Sequence, residues 1–151
     1  MTEYRRVNLD GKGISETRGT AAALKPGTFV VINSSNKWAQ AGVASAQTAG
    51  QIYVLDAAWY QGLGITDSVP AGDSGIGYYA EVGREFAALV AAGTYTKDQR
   101  FSINSSGQLI PVPTSGAGTY YVVASCQDDV TLSAADFIRV RIIDRQTVVI
   151  A

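Results

Sequence analysis

Read for its alternation of apolar and polar positions, the chain is a series of short strands broken by turns. The β pattern begins at residue 27: "TFVVI" is a β-branched and aromatic run, a polar turn follows, and "KWAQAGV" resumes the strand. "QIYVLDA" predicts another strand, and "VPAGDSG" a loop by its Pro, Gly, Asp and Ser content, leading into "IGYYAEVG". "QRFSI", a second turn and "QLIPVP" predict a hairpin, with Pro111 and Pro113 ending the strand or placing it at a sheet edge. "TYYVVASC" reads as a buried strand. "FIRVRII" alternates, with Ile138, Val140 and Ile142 on one face and Arg139 and Arg141 on the other; a turn at Asp144 and Arg145 then precedes the closing "TVVIA".

Two stretches leave the element type open. "DAAWYQGLGI" admits one short helical turn, with Asp56 as its cap and Gly62 and Gly64 ending it. "REFAALVAAG" is helical by residue type, but its length and flanking turns fit a strand as well. The words "INSS" occur twice, at 32–35 and 103–106, each between an apolar stretch and its resumption. Asn and Ser hydrogen-bond locally to backbone and tolerate turn geometry, so both copies are read as hairpin tips.

Residues 1–20 show neither helical nor strand periodicity and are read as an extended N-terminal arm on a single β-rich domain spanning 21–151. Tyr4, Val7, Leu9 and Ile14 give the arm apolar groups with which to dock. Many short strands with frequent turns predict an all-β fold, a small β-barrel or β-sandwich with hairpins and at most one or two short helices.

Composition narrows the function classes. Charged residues make up 17% of the 151 positions, below the ~25% of an average globular protein, and the formal net charge is −1. That balance lacks the basic footprint of a nucleic-acid binder. The charge is uneven: residues 1–18 carry Arg5, Arg6, Lys12 and Arg18 against Glu3, Asp10 and Glu16, so both termini are slightly basic around a more acidic middle. One cysteine, Cys126, cannot form an internal disulfide, and no apolar run approaches the ~18 residues of a membrane helix. "MTEYRRVNLD" lacks the apolar core of a signal peptide, so the expectation is a soluble chain made in the cytosol, without membrane or nucleic-acid partners.

Candidate chemistry is sparse. "GDSG" at 72–75 surrounds the nucleophile in trypsin-like proteases, but the chain has no histidine to activate Ser74, and a turn is the simpler reading. Asn33 and Asn104 head formal glycosylation acceptors that are read as turns. Lacking His, a metal site would draw on Asp67, Asp73, Glu81, Glu85, Asp98, Asp128 and Asp129, which do not follow a calcium-loop spacing; Asp128 and Asp129 are read as solvated. No phosphate loop or dinucleotide fingerprint occurs. The expectation is a protein that is not an enzyme and needs no cofactor; a carboxylate-only enzyme using Asp73 or Glu81 ranks lowest.

The passages "LKPGTFVVINS", "GLGITDSVPAGDSGIGYYAEVGREFAALVAAG", "YTKDQRFSINSSGQLIPV" and "GTYYVVASC" together resemble tailed-bacteriophage capsid decoration proteins, also called head-stabilisation or cement proteins. The resemblance spans most of residues 15–126 and rests on Gly, Asp and apolar spacings. It implies a small β-barrel on the outer surface of an expanded icosahedral head, locking major capsid protein subunits together, often as a homotrimer and in some relatives as a dimer or monomer. It implies a virion location after synthesis in the host cytoplasm. Carried onto this chain, the capsid-binding arm would present Tyr4, Arg5, Arg6, Val7, Leu9, Ile14 and Arg18, ordering on the capsid and adding strand pairing to a capsid-protein edge. Removing residues 1–18 would then leave the barrel folded and weaken capsid binding. The alternative is a virion-associated carbohydrate- or receptor-binding module, motivated by Trp38, Trp59 and the tyrosines.

Overall fold

The apolar runs pair into a five-stranded sheet and a closed barrel that share a core, with a two-stranded sheet beside them. The structure, a computed structural model, describes residues 3–11 and 13–151. Met1, Thr2 and Lys12 of the expected arm lie outside the described residues.

The first half of the chain forms β1 (Ser15–Gly19), β2 (Phe29–Ile32), β3 (Trp38–Gln40), β4 (Tyr53–Leu55) and β5 (Ser74–Tyr79), in spatial order β1-β5-β4-β2-β3. A short helix, α1 (Val43–Thr48), follows β3, and a 3-10 turn (Trp59–Gln61) follows β4. The second half supplies β6 (Glu85–Val90), β7 (Gly93–Tyr95), β8 (Arg100–Ile103), β9 (Leu109–Pro111), β10 (Gly118–Cys126), β11 (Val130–Leu132) and β12 (Asp136–Ile150). Of these, β10, β12, β6, β9 and β8 close into a barrel, and β7 pairs with β11. The fold is therefore all-β with one short α-helix among the described residues.

The inner strands β2 and β4 of the five-stranded sheet are covered on both faces because their side chains alternate between two apolar clusters. Phe29 and Val54 point into the barrel core with Phe86, Phe101 and Val140, while Val30, Tyr53 and Leu55 point the other way with Leu24, Trp38 and Val69. Thr20 bridges Trp38, and the Ala21 N–H donates to the Trp38 carbonyl at 2.9 Å, so the sheet curls back from β3 to the end of β1. Trp38 fills that curl. It is fully buried, its Nε1 donates to the Gly75 carbonyl at 2.8 Å, and a Cβ on Gly77 would lie 2.5 Å from the indole. Strand β5 thus needs its glycine opposite the largest side chain of the sheet. Trp38 is core, which removes it from any ligand platform.

Both INSS copies are hairpin tips with the same wiring. Asn33 Oδ1 accepts from the Ser35 and Lys37 N–H groups, and Asn104 Oδ1 accepts from those of Ser106 and Gln108. The left-handed residue of each tip follows three positions after the Asn: Asn36 at φ 61° and Gly107 at φ 69°. The tips differ in surroundings. Gly107 lies under the β2–β3 hairpin, where its carbonyl accepts from Phe29 N–H at 2.8 Å and an added Cβ would meet the Phe29 carbonyl at 2.7 Å. The first tip is solvent-exposed at Ser34, Ser35 and Asn36.

The undecided stretch 84–92 contains a strand. Residues 86–90 are all buried, β6 pairs antiparallel with β12 along one edge, and Leu89 N–H donates to Gly27 on the other. Burial on both faces and a ladder on each edge outweigh the modest helix propensity of its alanines. The expected turn at Asp144 and Arg145 is corrected. Strand β12 runs on to Ile150, but its register to β10 slips between Val122 and Ala124, so residues 143–145 stand opposite Val123 alone. A polar pair that looks like a turn in sequence is here a bulge, which bends a strand without reversing it. The 3-10 turn starts from Ala58 with no side-chain cap, so Asp56 is not its cap, and Gly62 ends it in the left-handed region.

Candidate interaction surface

The N-terminal segment is irregular, with repeated bends, and lies along the barrel. Its seat is the edge of β6 that β9 leaves open, since β9 meets β6 only at Val90. There the Ala87 N–H donates to the Val7 carbonyl at 2.8 Å, Leu9 N–H donates to Glu85, and Asn8 bridges Phe86. Val7 is completely buried, which at ordinary transfer energies stabilises the contact by about 1.5–3 kcal/mol. Arg84, only 7% exposed, is held by the segment: its Nε donates to both oxygens of Asp10 and its Nη2 to Asn8 Oδ1, with the guanidinium 5.0 Å above the Phe86 ring.

Farther out, Tyr4 donates its hydroxyl to Asp128 Oδ2 at 2.7 Å, and the same carboxylate oxygen accepts from Arg139 N–H at 2.8 Å. Burial, then the hydrogen bond to Asp128, pushes the Tyr4 phenol up to about 12. Asp128 is thus a bridge between arm and barrel and not simply a solvated carboxylate. At the other end, β1 pairs with β5 in register from Ser15 with Tyr78 to Gly19 with Ser74. Arg18 is engaged within this sheet, by Glu16 at 2.8 Å and the Asn36 carbonyl at 3.2 Å. Glu16 also accepts from the Tyr79 hydroxyl at 2.7 Å; that bond and Arg18 lower its pKa.

Of the seven residues expected in a capsid-binding arm, Tyr4, Val7 and Leu9 pack against the main core and Arg18 is committed to neighbours. Arg5, Arg6 and Ile14 face solvent, Ile14 at 58% exposure. Truncation after residue 18 would therefore remove a sheet strand, a core side chain and the carboxylate partner of a buried arginine. It is not a clean test of surface contact; point substitutions at the outward residues are.

A groove of about 430 Å3 opens beside the segment, with Arg5, Arg6 and Asn8 on one wall and Asp56, Trp59 and Tyr78 on the other. Asp56 is 5% exposed, and burial raises its pKa. Its Oδ1 accepts from Ala57 N–H at 2.8 Å, and its Oδ2 from Trp59 Nε1 and the Tyr78 hydroxyl, both at 3.2 Å. Those bonds fix the indole of Trp59 by its polar edge while 64% of the residue stays in solvent. Sequence reading singled out Trp59 but took Asp56 for a helix cap and did not place Tyr78. An Asp three residues before a Trp is the local signal that could have joined them.

A third surface lies past the bulge. Residues 118–122 of β10 and 146–150 of β12 continue as a two-stranded ribbon beyond the positions where β8 and β6 pair with them. Among the described residues neither outer edge of this ribbon has a strand partner. Tyr120, Val148 and Ile150 lie on one face and Tyr121 and Val149 on the other, with Val149 72% exposed.

Of the carboxylates considered for metal binding, Asp67 accepts from Gly64 N–H, Asp129 from Lys97 N–H, and Glu85 pairs with Arg139 and Arg141. Among the described residues no group of three His, Cys, Asp or Glu side chains is placed to hold a metal ion. The chain matches no protein-family model, and no curated protein matches it.

Proposed function

We propose that the chain is a capsid decoration protein that binds the outside of an expanded phage head and bridges major capsid protein subunits. The observation that carries this reading is the ribbon of residues 118–122 and 146–150: two open strand edges and an apolar side chain, Val149, held 72% exposed on a protein of low surface charge. An open edge offers main-chain hydrogen bonds to an extended segment of a partner, while side chains on alternate positions provide selectivity. The family resemblance and the all-β barrel support the same reading. Arg5, Arg6 and Ile14 form the outward part of the arm and supply a second contact, and repetition over a capsid lattice turns two weak contacts into avidity.

The test is binding of point variants to expanded, undecorated heads. Val149→Asp and Ile14→Asp each weaken saturable cosedimentation while the isolated protein keeps its melting temperature. Unchanged binding of both variants would remove these surfaces from the account.

A further inference from the structure

We infer that the groove between Arg5, Arg6 and Trp59 is a binding site for an acidic saccharide, a sugar bearing a carboxylate such as a uronic or sialic acid. The site is separate from the ribbon and shares only Arg5 and Arg6 with the proposed arm contact; the inference does not rest on the capsid reading.

Three features converge. The first is the indole of Trp59, which lies on a 3-10 turn outside the two cores and is 64% exposed. A large aromatic ring left in water loses the transfer energy that burial would supply, yet here its polar edge is fixed by a buried carboxylate that also holds the Tyr78 hydroxyl and the Ala57 N–H. A ring held still with its face open is the platform on which the C–H face of a pyranose stacks. Tyr60 stands edge-on to it, with ring centroids 6.1 Å apart at 78°.

The second feature is the pair of cations. Arg5 and Arg6 are exposed on the groove wall and make no hydrogen bond or ion pair with described residues. Of the other arginines, Arg18 is anchored by Glu16, Arg84 by Asp10, Arg139 and Arg141 by Glu85, and Arg145 by the Ala49 carbonyl, which leaves Arg100 on β8 as the one further arginine whose side chain has no partner among the described residues. Two free guanidinium groups beside a clamped indole select a carboxylate, which a guanidinium binds with two parallel hydrogen bonds.

The third is the polar floor. The Tyr78 hydroxyl, which donates to Asp56, and the Asn8 side chain, which accepts from Arg84, line the same groove as a fixed polar floor. An acidic peptide would share the charge but would look for a strand edge, and β5 behind the groove is paired on both sides, with β1 and with β4. The groove therefore favours a saccharide over a peptide.

The experiment is titration of the full chain with sialyllactose and with trigalacturonate, followed by Trp fluorescence and calorimetry, with lactose and polyglutamate as comparison ligands. At least one acidic sugar binds, about tenfold tighter than lactose, and binding weakens with added salt. Trp59→Ala and the Arg5→Gln, Arg6→Gln double variant each lose about tenfold; the double variant keeps the parent's melting temperature because both side chains are exposed, and Trp59→Ala, which takes one donor from the buried Asp56, is titrated well below its own melting temperature. Binding of neither acidic sugar overturns the inference, as does equal binding of lactose, tighter binding of polyglutamate, or unchanged affinity in Trp59→Ala. Head cosedimentation of Trp59→Ala reads the capsid proposal separately.

Discussion

At the residue scale, single close approaches fix which side chains the chain tolerates. Gly77 faces the indole of Trp38, and its backbone is in the extended region, so an added methyl acts through space alone. Gly77→Ala is expected to destabilise the protein by about 1–3 kcal/mol, read as a lower urea midpoint with unchanged slope. Ionisation offers a second test. The phenols of Tyr4 and Tyr79 are both raised from the usual 10.0 to about 12, the first mainly by burial and the second mainly by its bond to Glu16. A raised folded pKa means the folded state keeps its proton longer, so the contribution is complete below the unfolded value and is lost as pH climbs from about 10 to about 12. Melting temperature is expected to fall through that window, and Tyr4→Phe to flatten the fall; an unchanged profile in Tyr4→Phe would remove Tyr4 from the alkaline transition. None of this was legible in the sequence, because a glycine in a strand and a tyrosine in a polar segment do not announce their partners.

At the element scale, strands with clear alternation were readable and those buried on both faces were not. "FIRVRII" shows one face, and Ile138, Val140 and Ile142 are buried as its period requires. "REFAALV" shows no face because both are covered, so pattern alone could not choose between helix and strand. The repeated INSS tips were readable for a different reason: an Asn whose side chain accepts two backbone N–H groups is a local device that needs no tertiary context. Two predictions follow from their differing surroundings. Asn104→Ala removes two hydrogen bonds and is expected to cost about 1–2 kcal/mol by chemical denaturation. Asn36→Gly relieves a left-handed residue worth about 1–2 kcal/mol against an unfolded-state entropy loss of about 0.5–1 kcal/mol, and is expected to stabilise by a few tenths.

At the scale of the whole molecule, the N-terminal segment joins sheet and barrel. It covers the open edge of β6 with residues 7–9 and then supplies β1 to the other sheet. Its docking was not legible, because Val7, Asn8 and Asp10 find their partners about 75–80 positions away, at residues 84–87. Asp10→Ala is expected to lower stability by about 2–3 kcal/mol, less than the 3–5 kcal/mol of a fully buried pair because the Asp10 side chain keeps 21% exposure. The outward surfaces were partly legible. Trp59, Arg5 and Arg6 were each noted from sequence, while the groove that gathers them and the open ribbon past the bulge depend on long-range register that no local pattern carries.

The measurement that tests the central claim most directly is cosedimentation of the purified protein with expanded, undecorated phage heads, with head melting followed in parallel. The account predicts saturable binding at a fixed ratio to the major capsid protein and a rise in head melting temperature, both reduced by Val149→Asp. Failure to pellet with heads at concentrations that saturate a weak lattice contact, with head melting unchanged, would contradict it.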